Sequence, residues 1–128
     1  MIDRLSISGD ASSCLDSPKA TPTLLNAPFP FAYDSFGPFT NTNSASGVCA
    51  TVEWSPGTCA AVDPIAYSTF DPNDQRSGYL GDLGIGTSTP SFSFDLPAGE
   101  SFILIVQQAV SGPDLGCEYT LRVDLEDC

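Results

Sequence analysis

Between Pro90 and Asp127 the chain switches between two kinds of apolar pattern. Phe92 and Phe94 alternate with Ser91, Ser93 and Asp95, the period of two expected of a half-buried strand. Pro97 and Gly99 then break the run. SFILIVQQAV follows as a dense β-branched stretch suited to a strand covered on both faces. After the turn SGPDLG, Tyr119, Leu121, Val123 and Leu125 alternate again. The short turns predict three consecutive antiparallel strands that neighbour one another. Upstream, GVCATVEW sets Val48, Ala50 and Val52 on one side and Cys49, Thr51 and Glu53 on the other. Phe31, Tyr33 and Phe39 are candidate core residues, and CAAVDPIAYSTF reads as one bent strand or two short ones. FDPNDQRSGYLGDLG reads as a long, polar, glycine-rich loop. No window shows helical periodicity. Turn signals at these spacings predict an all-β fold of roughly eight short strands, an antiparallel β-sandwich with jelly-roll-like character.

The first 28 residues differ. Leu5 and Ile7 flank Ser6 in a short alternation, with Ile2 standing apart. A Ser-, Thr- and Pro-rich stretch follows, with Pro18, Pro22, Pro28 and Pro30 fixing φ and removing donors. It predicts an extended N-terminal arm or linker over 1–28 and a sandwich domain over 29–128, with Leu15, Leu24 and Leu25 as docking points along the arm. The alternating segment reads either as the sandwich's own first strand or as a donor strand. A donor strand would add to a neighbour's exposed sheet edge, with Ile2, Leu5 and Ile7 as the subunit-contact residues.

Composition narrows the function classes. The chain has 128 residues, of which 16% are charged, with 11 Gly and 11 Pro. One domain of this size buries roughly two-thirds of its unfolded surface. The net charge of −12 repels phosphate backbones and anionic membranes, so nucleic acid and membrane insertion are not expected. Met1-Ile2-Asp3-Arg4 lacks the basic start and apolar core of a signal peptide, so the chain reads as a mature form or a fragment. Five cysteines, Cys14, Cys49, Cys59, Cys117 and Cys128, include no C-x-x-C pair, and the chain has no histidine. That favours two disulfides and one remaining cysteine in an oxidising, extracellular setting over a zinc site. A Cys49–Cys59 bridge is one option, although a hairpin turning at Ser55-Pro56-Gly57 sets Cys49 opposite about position 62. Spacing leaves the connectivity open.

The order of short phrases carries a family likeness. Residues 29–125 resemble bacterial secreted β-sandwich modules of the pre-peptidase C-terminal kind. The likeness rests on FAYDSFGPFTN at 31–41, VCATV at 48–52, AYSTFDPND at 66–74, GYLGDLG at 78–84, SFSFDLPAG at 91–99 and CEYTLRV at 117–123. It implies a non-catalytic module on a secreted or cell-surface protein. Such modules often carry a cysteine just before the YLGD phrase, where this chain has Arg76. The resemblance therefore implies that Cys117 pairs with Cys14 or Cys128.

Candidate chemistry is sparse. Asp71, Asn73, Asp74 and Asp82 lie in or beside FDPND…YLGD and could offer oxygen ligands to calcium, though the same residues suit Asx-turns beside Pro72. No cofactor is required by any motif. Trp54, Tyr67 and Tyr79 are candidates for a sugar-stacking platform, and a Trp before a turn equally suits a cap on the end of a sandwich. No His can serve a Ser as base, and a Ser–Lys pair or a Lys–Asn/Asp isopeptide would have to use Lys19, the single lysine. The reading that follows is a non-enzymatic extracellular structural protein of a bacterial surface, self-assembling into a filament by N-terminal strand donation. The other reading is a glycan-binding or calcium-stabilised accessory module of a secreted bacterial enzyme or adhesin.

Overall fold

Alternation along Val48–Ser55 puts Val48, Ala50, Val52 and Trp54 inward and leaves the residues between them at the surface, as the sequence pattern predicts. A computed structural model describes residues 1, 3–7, 9–14, 19–42, 45–59, 62–85, 90–108 and 117–127, with 126 and 127 described by backbone alone. Among these residues there are seven strands: β1 (Tyr33–Thr40), β2 (Val48–Ser55), β3 (Val62–Tyr67), β4 (Tyr79–Asp82), β5 (Ser91–Leu96), β6 (Ser101–Gln108) and β7 (Thr120–Asp127). They form two antiparallel sheets, one in the order β1-β6-β3-β4 and one in the order β5-β2-β7. The fold is an all-β sandwich. No helix among the described residues is long and apolar enough to cross a membrane.

The connectivity corrects one expectation. β5, β6 and β7 follow one another through the sequence but are not neighbours: β6 lies between β1 and β3, while β5 and β7 flank β2 in the other sheet. Each connection crosses between sheets except the β3–β4 link. Crossing is what lets Phe92, Phe94 and Leu96 face Phe102 and Leu104 across one core, instead of lining one face side by side. Each such side chain contributes about 1.5–3 kcal/mol on burial. A second correction concerns β4. Tyr79–Asp82 lies inside the stretch read as a loop, yet it pairs with β3 through Ile65–Asp82, Ala66–Gly81 and Tyr67–Tyr79.

β6 is apolar in both directions. Phe102 and Leu104 meet the second sheet, and alternation turns Ile103 and Ile105 to the opposite, outer face beside Ile65 and Tyr67 of β3. The N-terminal segment covers that face. Leu5 is fully buried and Ile7 nearly so, in one cluster with Ile65, Tyr67 and Ile105. Residues 3–7 also run antiparallel to 23–29: Ser6 N donates to Thr23 O at 2.8 Å, Leu25 N to Arg4 O at 2.8 Å, and Asp3 N to Phe29 O at 3.0 Å. Residues 3–7 thus form a third layer over a sheet face of their own chain.

Two disulfides are present among the described residues, Cys14–Cys49 and Cys59–Cys117. Neither Cys49–Cys59 nor the pairing of Cys117 with Cys14 or Cys128 occurs. The reason is register. β2 and β7 pair from Val48–Asp127 to Ser55–Thr120, and the pairing continues outward through Thr58 N to Glu118 O at 2.9 Å, which brings Cys59 beside Cys117. Cys49 points away from the core, where the arm delivers Cys14. Cys128 lies outside the described residues. Two such bridges indicate an oxidising environment.

Leu5→Ala should destabilise the protein by about 2–5 kcal/mol, while Leu25→Ala on the exposed side of the same layer should cost less than about 1 kcal/mol. Urea denaturation of the two variants checks this; equal, small effects would contradict a buried arm.

Candidate functional site

The outer face of the four-stranded sheet is a cleft whose floor is Ile65, Tyr67 and Ile105 and whose rim carries Tyr33, Phe70 and Tyr79. Phe70 stands edge-on to Tyr33 at 5.2 Å and to Tyr67 at 5.0 Å, which closes one wall. Polar contacts fix the arm's register. Gln107, buried on β6, donates from Nε2 to Leu5 O at 3.1 Å. Asp3 accepts from Asn26 N and Ala27 N, each at 3.1 Å, and Arg4 lies over the Phe31 ring, 5.6 Å from its centroid. Asp63 shares the outer face opposite Gln107. Burial pushes its carboxyl above the usual range. The Arg4 charge opposes this, the Asp82 charge adds to it, and the Gln107 hydrogen bond opposes it.

Past the cleft, the arm stitches the open side of the sandwich. Ser12 N donates to Asp82 O of β4 at 2.9 Å, Ser93 N of β5 donates to Ser12 O at 2.9 Å, and Asp82 N donates to Ser12 Oγ at 2.9 Å. One residue therefore bridges the edge strands of the two sheets. Gly81 makes this approach possible, since a Cβ there would lie 2.7 Å from Ser12 Oγ. Cys14 N then donates to Ser93 Oγ at 2.9 Å, and the disulfide to Cys49 fastens the arm to the second sheet.

Beneath this seam lies Asp82, a fully buried carboxylate. Its Oδ1 takes the Lys19 ammonium at 2.5 Å and the Gly84 N–H at 2.7 Å, and its Oδ2 accepts the Tyr79 hydroxyl at 2.5 Å. Lys19 retains 18% exposure of its side chain. Burial pushes the Tyr79 hydroxyl strongly upward, reinforced by the Asp82 hydrogen bond and charge and opposed by a hydrogen bond with Ser12, so it stays a proton donor. Tyr67 is raised for the same two reasons, burial first and then the Asp82 charge.

Of the candidate calcium ligands, Asp71, Asn73 and Asp74 share one turn, and Asp82 lies on β4. Asp71 Oδ1 accepts from Asn73 N at 2.8 Å, an Asx-turn beside Pro72, and Asp74 N donates to Asp71 O at 2.9 Å. Asp82 lies on β4 with both oxygens engaged, and no three acidic, His or Cys side chains converge among the described residues. The aromatic trio is also divided. Trp54 is 6% exposed and packs on Tyr119 at 5.1 Å, at the end of the sandwich. Tyr67 is 1% exposed on the outer face, edge-on to Tyr79 at 6.5 Å. Of the arm's contact residues, Leu5 and Ile7 enter the cleft, while Ile2 and the docking candidate Leu15 lie outside the described residues. Leu24 packs on the arm cluster, and Leu25 is exposed.

Among the described residues, the opposite side of the sandwich is open. Edge strands β1 and β7 flank an apolar groove of about 660 Å³ lined by Phe36, Phe39, Leu121, Val123 and Leu125. Tyr119 bars one end, its hydroxyl donating to Asp34 Oδ2 and its ring edge-on to Phe36. Both edges discourage strand addition: β1 is interrupted at Gly37-Pro38, where its register shifts, and β7 carries the charged side chains of Arg122 and Asp124. The residues that the sequence reading missed are Ser12, Asp63 and Gln107. Asp63 and Gln107 had a signal, a polar residue within an apolar strand; Ser12 had none.

A carboxyl raised by burial favours the protonated form in the folded state. Its stabilising share is complete below the ordinary carboxylate range and declines as pH rises through the raised value. Asp63→Asn should therefore gain stability over the native chain at neutral pH, with the gain fading on acidification; urea midpoints across that range check the sign, and a gain that grows in acid would contradict it. Comparison with known proteins finds no match to this chain, whether among protein-family models, curated proteins or solved structures.

Proposed function

We propose that this chain is a non-catalytic extracellular structural protein of a bacterial surface, which assembles into a filament by passing its N-terminal segment to the neighbouring subunit. The observation that carries the reading is the cleft on the outer sheet face, filled by an alternating segment that ends before a covalent anchor. Leu5 and Ile7 touch Ile65, Tyr67 and Ile105 of their own chain. The same segment of a second copy would make the same contacts, so exchange costs little in contact energy. Residues 8 to 11 separate Ile7 from Ser12, the next buried residue of the arm. From Ile7 to Ser12 an extended chain spans roughly 17 Å, the reach open to the exchanged segment while Ser12 keeps its bridge. A head-to-tail exchange of this kind does not close on itself and gives an open polymer.

Two features favour exchange on the face over addition at an edge. β4 and β5 are already bridged through Ser12, and β1 and β7 carry the interruptions and charges described above. The acceptor is thus the outer-face cleft, a change from the edge pairing expected of the sequence. The disulfides support an extracellular setting, and the likeness to secreted bacterial modules supports a surface one.

Negative-stain microscopy of the full oxidised chain should show fibres, and a chain lacking residues 1–9 should be monomeric. The truncated chain should bind a synthetic peptide of residues 1–9, and the peptide with Leu5→Asp and Ile7→Asp should not bind. A full chain that stays monomeric at every concentration, or a truncated chain that still forms fibres, would overturn the reading.

A further inference from the structure

We propose that Lys19 and Asp82 condense into an intramolecular isopeptide bond that ties the N-terminal segment to β4. The pair stands 63 residues apart in sequence, with Nζ 2.5 Å from Oδ1, closer than an ordinary ammonium–carboxylate contact. The site differs from a surface ion pair in three ways. Asp82 is completely buried and Lys19 mostly so, which makes the charged pair costly to desolvate, and a neutral amide removes both charges. Both carboxyl oxygens already have donors, Gly84 N–H on Oδ1 and the Tyr79 hydroxyl on Oδ2. The reactants are also held in place. Asp82 lies on a paired strand, and Lys19 follows a segment fixed by Cys14, so the encounter is intramolecular and oriented.

The step balances within the pair. One ammonium proton passes to the Asp82 carboxylate, giving a neutral amine and a carboxylic acid. The amine lone pair attacks Cγ and forms the Nζ–Cγ bond. Negative charge collects on Oδ2, where the Tyr79 hydroxyl stabilises it as an oxyanion donor. A second nitrogen proton moves to Oδ1, the Cγ–Oδ1 bond breaks, and one water leaves. One hydrogen stays on the amide nitrogen, and nothing is oxidised or reduced. Tyr79 touches the reacting group and is the catalytic residue; Gly84 N–H holds the departing oxygen.

The consequence is a double tether. Cys14–Cys49 fixes the arm to the second sheet and Lys19–Asp82 fixes it to the first. Unlike the disulfide, the amide would survive reduction.

Intact-mass measurement of the reduced, denatured protein tests the bond. It should be lighter than its sequence by one water. Because Lys19 is the single lysine, amine labelling of the denatured chain should mark the N-terminus and leave Lys19 unmarked. Trypsin should release the peptide ending at Arg76 joined to the one running from Ser77 to Arg122. Lys19→Arg, which keeps a cation beside Asp82, should restore the full mass of its own sequence, and Tyr79→Phe should leave a larger unreacted fraction. A native chain of full sequence mass with Lys19 open to labelling would overturn the proposal and leave a buried ion pair. So would a lost water with Lys19 still labelled, since the dehydration would then lie elsewhere.

Discussion

β6 has to be covered twice. Its Phe102 and Leu104 are buried by the second sheet, but Ile103 and Ile105 point the other way, beside Ile65 and Tyr67 of β3. A bare sheet face of that composition would be a contiguous apolar patch, which isolated soluble domains seldom expose. The N-terminal segment meets this requirement with two alternating residues, Leu5 and Ile7, and with backbone hydrogen bonds to residues 23–29 that satisfy its polar groups. The rest of the architecture follows from that cover. The arm has to cross the β4–β5 side to return, and in crossing it closes that side through Ser12.

The same path explains where the polar and covalent features collect. Ser12, Cys14 and Lys19 all come from the arm, and each is joined to a different part of the sandwich: both sheet edges, the outside of β2 and the buried carboxylate on β4. Residues before Cys14 are held by packing and hydrogen bonds, while those after it begin behind a fixed point. A net charge of −12 favours solubility.

The sequence made much of the sandwich legible and little of its wiring. Alternation in Val48–Ser55 and Ser91–Leu96 set the inward residues correctly, and the two-sided apolarity of SFILIVQQ announced a strand covered on both faces. What covered the second face was not readable. The four prolines between residues 18 and 30 signal extended chain, and extended chain can either dangle or lie flat on a sheet. Short turns suggested that β5, β6 and β7 pair in order, but a short connection also suffices to cross between two packed sheets. β4 was hidden because YLGD is short and contains Gly and Asp; its burial comes from the arm above it and not from its own pattern. The disulfides depend on register and on the arm's path, so spacing alone could not assign them. Lys19 was conspicuous as the lone lysine, but its partner on β4 becomes visible once the chain is folded.

The N-terminal segment forms the third layer over the outer face of the four-stranded sheet. Methyl NOE spectroscopy on the oxidised protein, with the Leu and Ile methyls labelled, tests it most directly. Cross-peaks from the Leu5 methyls to those of Ile65 and Ile105 are expected. Leu5 methyls at random-coil shifts, without cross-peaks to either residue, would contradict it.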